Sequence, residues 1–158
     1  MVDGTDDPYR VEVCTRKLDG SELDGCVAII RDGGAVDVNS DKLRSATVLA
    51  LAKKGNEIVG VGSVKRMRAG YAAGIAKKSG FDFPPGTLEV GYVAVDAAHR
   101  GSRLSHRLVR ELLSHRSGGL FATTDNEYMK RTLAAAGFAQ RGREWKGRRG
   151  QLSLWIKS

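Results

Sequence analysis

Apolar and polar positions along the chain fall into short, well-punctuated runs. Tyr9–Leu18 (YRVEVCTRKL) alternates, with Val11 and Val13 on one face, and predicts a strand. Leu23, Val27 and Ile30 recur at i, i+4 and i+7 within Ser21–Arg31, the spacing of a short amphipathic helix that Asp32-Gly33-Gly34 ends. Ser40–Arg44 predicts one more helical turn. Two β-rich runs, Thr47–Ala52 and Glu57–Lys65, flank Lys53-Lys54-Gly55-Asn56 and predict a hairpin. Arg66–Gly86 then breaks the pattern with a helical stretch over Tyr71–Lys78, followed by Phe81, Phe83 and Pro84-Pro85-Gly86. Thr87–Val95 (TLEVGYVAV) is apolar almost throughout, as in a strand covered on both faces.

The second half continues in the same way. Leu104, Leu108, Val109 and Leu112 stripe a helix over Ser102–His115, which Gly118-Gly119 stops. Leu120–Thr124 predicts a strand, and Asn126–Ala136 a helix with Asn126 or Asp125 as N-cap and Gly137 at its C-terminal end. Phe138–Trp145 and Gln151–Lys157 predict two last strands around the basic turn Lys146–Gly150. The order predicts a single mixed α/β domain over residues 9–158, with 1–8 as a loose tail and 66–86 as an insertion between strands.

Composition narrows the classes. Of 158 residues, 28% are charged and 41% hydrophobic, and no apolar run approaches the roughly 18 residues of a membrane span. The opening MVDGTDDPYR is acidic and lacks an apolar stretch, so no secretory signal is expected. Two cysteines, Cys14 and Cys26, form neither a disulfide framework nor a thiolate metal site, and the expected compartment is the cytoplasm. The net charge of +8 is uneven: residues 1–41 hold ten acids and four bases, whereas residues 42–158 hold eight acids and 22 bases. Such a field favours an anionic ligand or partner.

One junction gives that charge a chemical use. Val93–Ser105 (VAVDAAHRGSRLS) reads as a buried strand, a turn with Gly101, and a helix start. Free N–H groups and the helix dipole favour a phosphate there, and Arg100 and Arg103 add two positive charges.

On these residues the chain resembles the GNAT superfamily of N-acetyltransferases. VGYVAVDAAHRGSRLSHRLV resembles its central motif, a strand followed by Gln/Arg-x-x-Gly-x-Gly/Ala and a helix; LFATTDNEYMKRTLAAAGF resembles its next strand, helix and Gly-Phe, here Gly137-Phe138. The resemblance implies a GNAT-like fold, a mixed central sheet with a splayed strand and flanking helices, in a monomer or homodimer. It also implies an acetyl-coenzyme A co-substrate and no metal. The pyrophosphate would lie on the backbone of Gly101, Ser102, Arg103, Leu104 and Ser105 beside Arg100. The pantetheine would lie along the Val93 and Val95 main chain, near Asn126. Ala98 stands where the motif has Gln or Arg, and Arg103 where it has its second small residue, which predicts altered loop geometry. His99, His106 and His115 have no carboxylate or thiol cluster at ligand spacing and are not expected to act as catalysts.

Acyl transfer to an amine needs a neutral nucleophile, and deprotonating a lysine-like amine at pH 7 costs about 4.6 kcal/mol. Glu89, a lone carboxylate in an apolar strand, is the candidate general base and matches the glutamate of histone-type family members. The plainer expectation is an edge-facing Glu89 paired with a basic neighbour such as Lys65. Leu133 occupies the position where many members carry a Tyr as general acid, so Tyr128 becomes the candidate, with Tyr92 and Tyr71 as further choices. For the acceptor, Tyr71, Lys77 and Lys78 are candidate contacts. Base plus aromatic residues in 66–86, and the basic run Arg141–Arg149, keep a nucleic-acid acceptor open. The alternatives to an N-acetyltransferase are a tRNA- or DNA-base-modifying enzyme on the same fold, or a catalytically weak acyl-coenzyme A or nucleic-acid binding module.

Overall fold

A computed structural model describes residues 7–34, 38–116 and 118–158. Strands β1 (Tyr9–Val13), β2 (Val48–Lys54), β3 (Glu57–Arg66) and β4 (Leu88–Val95) come from the first part of the chain. Strands β5 (Leu120–Thr124), β6 (Ala139–Lys146) and β7 (Gln151–Lys157) come from the second. They form one sheet in the order β1-β2-β3-β4-β5-β7-β6. Every neighbouring pair is antiparallel except β4 with β5. The helices are α1 (Gly20–Asp32), α2 (Ser40–Arg44), α3 (Ala69–Ser79), α4 (Leu104–Ser114) and α5 (Glu127–Ala135). Among the described residues no helix is long and apolar enough to cross a membrane.

The periodic runs fold as read, with informative differences at their ends. The first strand stops at Val13 instead of Leu18: Cys14 N makes a last bond to the Leu49 carbonyl, and the chain then turns into the cap of α1. That cap starts α1 one residue before the expected Ser21. Asp19 accepts from Glu22 N while the Glu22 carboxylate accepts from Asp19 N, a reciprocal capping box. Of the expected loose tail, residues 1–6 lie outside the described residues. Asp7 is fixed by Arg107, 2.9 Å from its carboxylate.

Helices cover both faces. The α4 stripe packs with Leu133 of α5 and Phe138 against Val64, Val90, Leu120 and Trp155. Glycines let α4 come close: a Cβ at Gly60 would meet Leu108 at 3.3 Å, and one at Gly62 would meet Leu112 at 3.2 Å. On the other face α1 and α2 pack on Leu51 and Val61, while α3 lies beyond them through Ile75 against Phe121 and Leu154. The stretch read as an insertion is therefore a layer of the fold. Phe81 and Phe83 turn inward with it, the Phe83 ring 4.7 Å from that of Phe121.

Candidate active site

The site begins where the sheet comes apart. β4 and β5 pair only at Leu88 with Leu120 and at Glu89 with Phe121. Beyond that, Val90–Val95 and Ala122–Thr124 diverge along a cleft of about 700 Å³. Register slips between Val61 and Ser63 of β3, and opposite the slip Tyr92 takes φ 52°. A positive φ at an aromatic residue is strained backbone, and with the slipped register it marks a bulge that bends β4 away from β5.

The expected ligand-binding residues fall largely on this cleft. Val93 and Val95 line it from β4, Arg100, Gly101, Arg103, Leu104 and Ser105 from the turn into α4, and Asn126 and Tyr128 from the start of α5. Ser102, in the same turn, does not line it. The α4 N-terminus has no side-chain cap and no acid in its first turn, so its leading N–H groups and positive dipole end are left uncompensated beside the cleft. Arg103, just before the helix, has φ 59°, which glycine adopts without steric cost. α4 starts at Leu104, which puts Ser105 inside its first turn. Starting the Gln/Arg-x-x-Gly-x-Gly/Ala pattern at Arg100 rather than Ala98 then fits at the first position and puts a small residue, Ser105, at the last. Only Arg103 departs strongly, at a position whose backbone suits Gly.

Asn126 is occupied as a cap: its Oδ1 accepts from Met129 N at 3.0 Å. Arg100 folds back on the sheet, its Nε donating to the Val95 carbonyl at 3.1 Å and its Nη2 3.7 Å from Asp32 at the end of α1. His99 also lines the cleft, with Nδ1 3.0 Å from the Tyr9 hydroxyl. His106, beside Arg103 and Arg110, is held below its usual range by partial burial and by those two cations.

Glu89 sits at the apex of the wedge, in the last residue pair before the strands part. It is 7% exposed in a central strand, so the expectation of an edge-facing carboxylate does not hold. The pairing with Lys65 does: Nζ lies 3.6 Å from Oε1 and also 3.8 Å over the Tyr92 ring. The Tyr71 hydroxyl donates to Oε2 at 3.1 Å. Burial raises the Glu89 carboxyl above the usual carboxylate range, against the lowering effects of Lys65 and the Tyr71 hydrogen bond.

The other candidates separate. Tyr128 is 44% exposed, whereas Leu133 is 1% exposed in the core. Tyr71 reaches Glu89 from the first turn of α3. Lys77 and Lys78 are exposed at its far end, about 10 Å along the helix axis. There Arg143 of β6 donates to the Lys77 carbonyl at 3.1 Å, joining the basic residues of α3 and β6 into one surface. Arg149, read from the sequence only as part of the basic run Arg141–Arg149, lines the cleft from the β6–β7 turn, pairs with Asp125 at 3.3 Å and donates to the Gly33 carbonyl. Among the described residues no group of His, Cys, Asp or Glu is placed to hold a metal ion.

Comparison with known proteins places this architecture. A family model described as acetyltransferase (GNAT) family matches residues 22–138. The search of curated proteins gives no match. Among solved structures, Arabidopsis thaliana NAA60 in complex with acetyl-CoA is 17% identical with a TM-score of 0.66, over 92% of this chain and 98% of its own. Ribosomal-protein-alanine N-acetyltransferase from Brucella melitensis is 19% identical with a TM-score of 0.67, over 92% and 98%. FeeM, an N-acyl amino acid synthase from uncultured soil microbes, is 18% identical with a TM-score of 0.67, over 94% and 89%. At these identities the likeness to solved structures is one of fold.

Proposed function

The chain belongs to the GNAT family of acetyltransferases, and from that premise we propose that it is an acetyl-coenzyme-A-dependent N-acetyltransferase that uses Glu89 as general base. The observation that carries this reading is the β4–β5 wedge: the strands part directly after the buried Glu89, the cleft lining begins at the next residue, Val90, and an uncapped helix N-terminus stands at its mouth. The residues present fit the co-substrate. The leading amides of α4 meet no carboxylate of their own turn, Arg100, Arg103 and Arg149 surround the cleft, and β4 has an unpaired edge beyond Glu89. The α4 start would hold the pyrophosphate, and the Val93–Val95 edge with Asn126 the pantetheine.

Bound there, the co-substrate supplies an activated acyl group. Glu89 accepts the proton of the acceptor ammonium and leaves a neutral amine, and its desolvation raises its basicity toward that task. A backbone N–H near Val95 polarises the carbonyl under attack. Tyr128, exposed at the cleft, is the candidate proton source for the departing thiolate. The reading sets the enzyme in the cytoplasm, in keeping with a sequence that holds two cysteines and no disulfide framework. Titration calorimetry tests it directly: acetyl-coenzyme A is expected to bind at the micromolar level. A flat titration at millimolar cofactor would overturn the assignment.

A second reading, in which the acceptor amine belongs to a nucleic acid, is favoured by the joined basic surface of α3 and β6. Phe81 and Phe83 face inward, so such a footprint would use phosphate pairing without their stacking. Replacing Lys77 and Lys78 together by Ala should reduce the slope of log K against log salt for a single-stranded RNA by roughly 1.4. An unchanged slope, read by fluorescence anisotropy, would return both lysines to a solvated surface.

A further inference from the structure

Glu89 is not simply a buried carboxylate; its two oxygens have different surroundings. Oε1 faces Lys65 of β3 at 3.6 Å, a distance at which the ammonium neutralises charge without a tight hydrogen bond. Oε2 accepts the Tyr71 hydroxyl at 3.1 Å. Tyr71 comes from the first turn of α3, and its ring lies 6.5 Å from Phe121, the β5 residue paired with Glu89. Tyr71 is 45% exposed with its hydroxyl turned in to Glu89, so it stands between Glu89 and solvent.

We propose that Tyr71 is the positioning residue of the base: its hydroxyl anchors Oε2, its ring covers the carboxylate, and Oε1 is left as the oxygen that takes the acceptor's proton. The proposal rests on Glu89 being the base. Two features support the division of labour. Burial and the neighbouring Glu89 carboxylate push the Tyr71 phenol upward, so it stays an O–H donor across the working range. The ionisable groups facing Glu89 are Lys65 from β3, Tyr71 from α3 and, under Lys65, Tyr92 of its own strand, while β5 presents Phe121 and no charge. Among the described residues Lys65 and Tyr71 are the acids beside the carboxylate, and Oε1 is the oxygen that the phenol does not hold.

The two parts of Tyr71 act on the carboxylate in opposite directions, which gives the test. The hydroxyl bond favours the ionised form, and the ring's exclusion of water disfavours it. Tyr71→Phe keeps the cover and loses the bond, so the acidic limb of the kcat/KM profile should move up by about one pH unit. Tyr71→Ala loses the bond and also opens the carboxylate to water, so its limb should lie below that of Tyr71→Phe. Both profiles are read beside Glu89→Gln, with the fold of each variant checked by circular dichroism. Limbs that stay in place, or coincide for the two variants, while Glu89→Gln slows turnover would overturn the role of Tyr71 and keep that of Glu89. A Glu89→Gln enzyme with full activity would remove the base and this proposal with it.

Discussion

Glu89→Gln is expected to lower kcat/KM for amine acetylation at neutral pH by about 10²–10⁴-fold, the usual contribution of a positioned general base. Acetyl-coenzyme A affinity should stay unchanged, because Glu89 lies at the wedge apex and away from the α4 start. The sign of the pH dependence follows from its environment. Burial lifts its carboxyl above the ordinary range, so wild-type activity should fall as pH drops through that raised value, before exposed carboxylates protonate. The same desolvation opposes folding. A buried carboxyl with a raised pKa binds its proton more tightly in the folded state, so stability declines as pH rises from the unfolded to the folded value. The amide that replaces the carboxylate carries no such charge, and Lys65, 26% exposed, can turn to water. The variant should therefore melt at the wild-type temperature or above it, in a scan at pH 7. Loss of activity together with a lower melting temperature would recast Glu89 as a structural partner of Lys65.

Ser105→Glu should separate binding from stability in the other direction. Ser105 sits in the first turn of α4, beside the cleft, on a helix whose start carries no acid and no side-chain cap. A carboxylate there meets the positive end of the helix and should stabilise the fold by about 0.3–1 kcal/mol. It also occupies the place proposed for the pyrophosphate. Like-charge juxtaposition costs several kcal/mol and about 1.4 kcal/mol is tenfold, so cofactor affinity should fall by about 100-fold or more. Calorimetry and denaturant melts on one preparation read both effects. Unchanged affinity would move the pyrophosphate away from α4.

What the sequence revealed and what it concealed have physical reasons. Strands and helices were legible because their patterns are local: the stripe Leu104, Leu108, Leu112 needs no partner to be recognised, nor does the lone acid in TLEVGYVAV. The GNAT-like fold read from the strand–turn–helix motif holds for the family and the architecture alike. The role of α3 was concealed because Phe81 and Phe83 sit among Pro and Gly, where local composition reads as a surface loop. Only Phe121, about 40 residues on, shows that they pack against the core. Arg149 was concealed for the same reason. An arginine in a basic turn carries no sign that it will meet Asp125 and the Gly33 carbonyl. The strain at Arg103 is a backbone angle that its residue type argues against.

The two residue pairs that hold β4 to β5 also make the sheet a book with a very short spine. One leaf is β1–β4 with α1 and α2, the other is β5–β7 with α3 and α5, and α4 packs across both. Glu89 is part of the spine itself. On the role proposed for Glu89, any spreading of the leaves to admit a bulkier acyl donor pivots on the proposed base. Donor size and base geometry are coupled by that hinge, so widening the slot would cost turnover on the donor it already accepts.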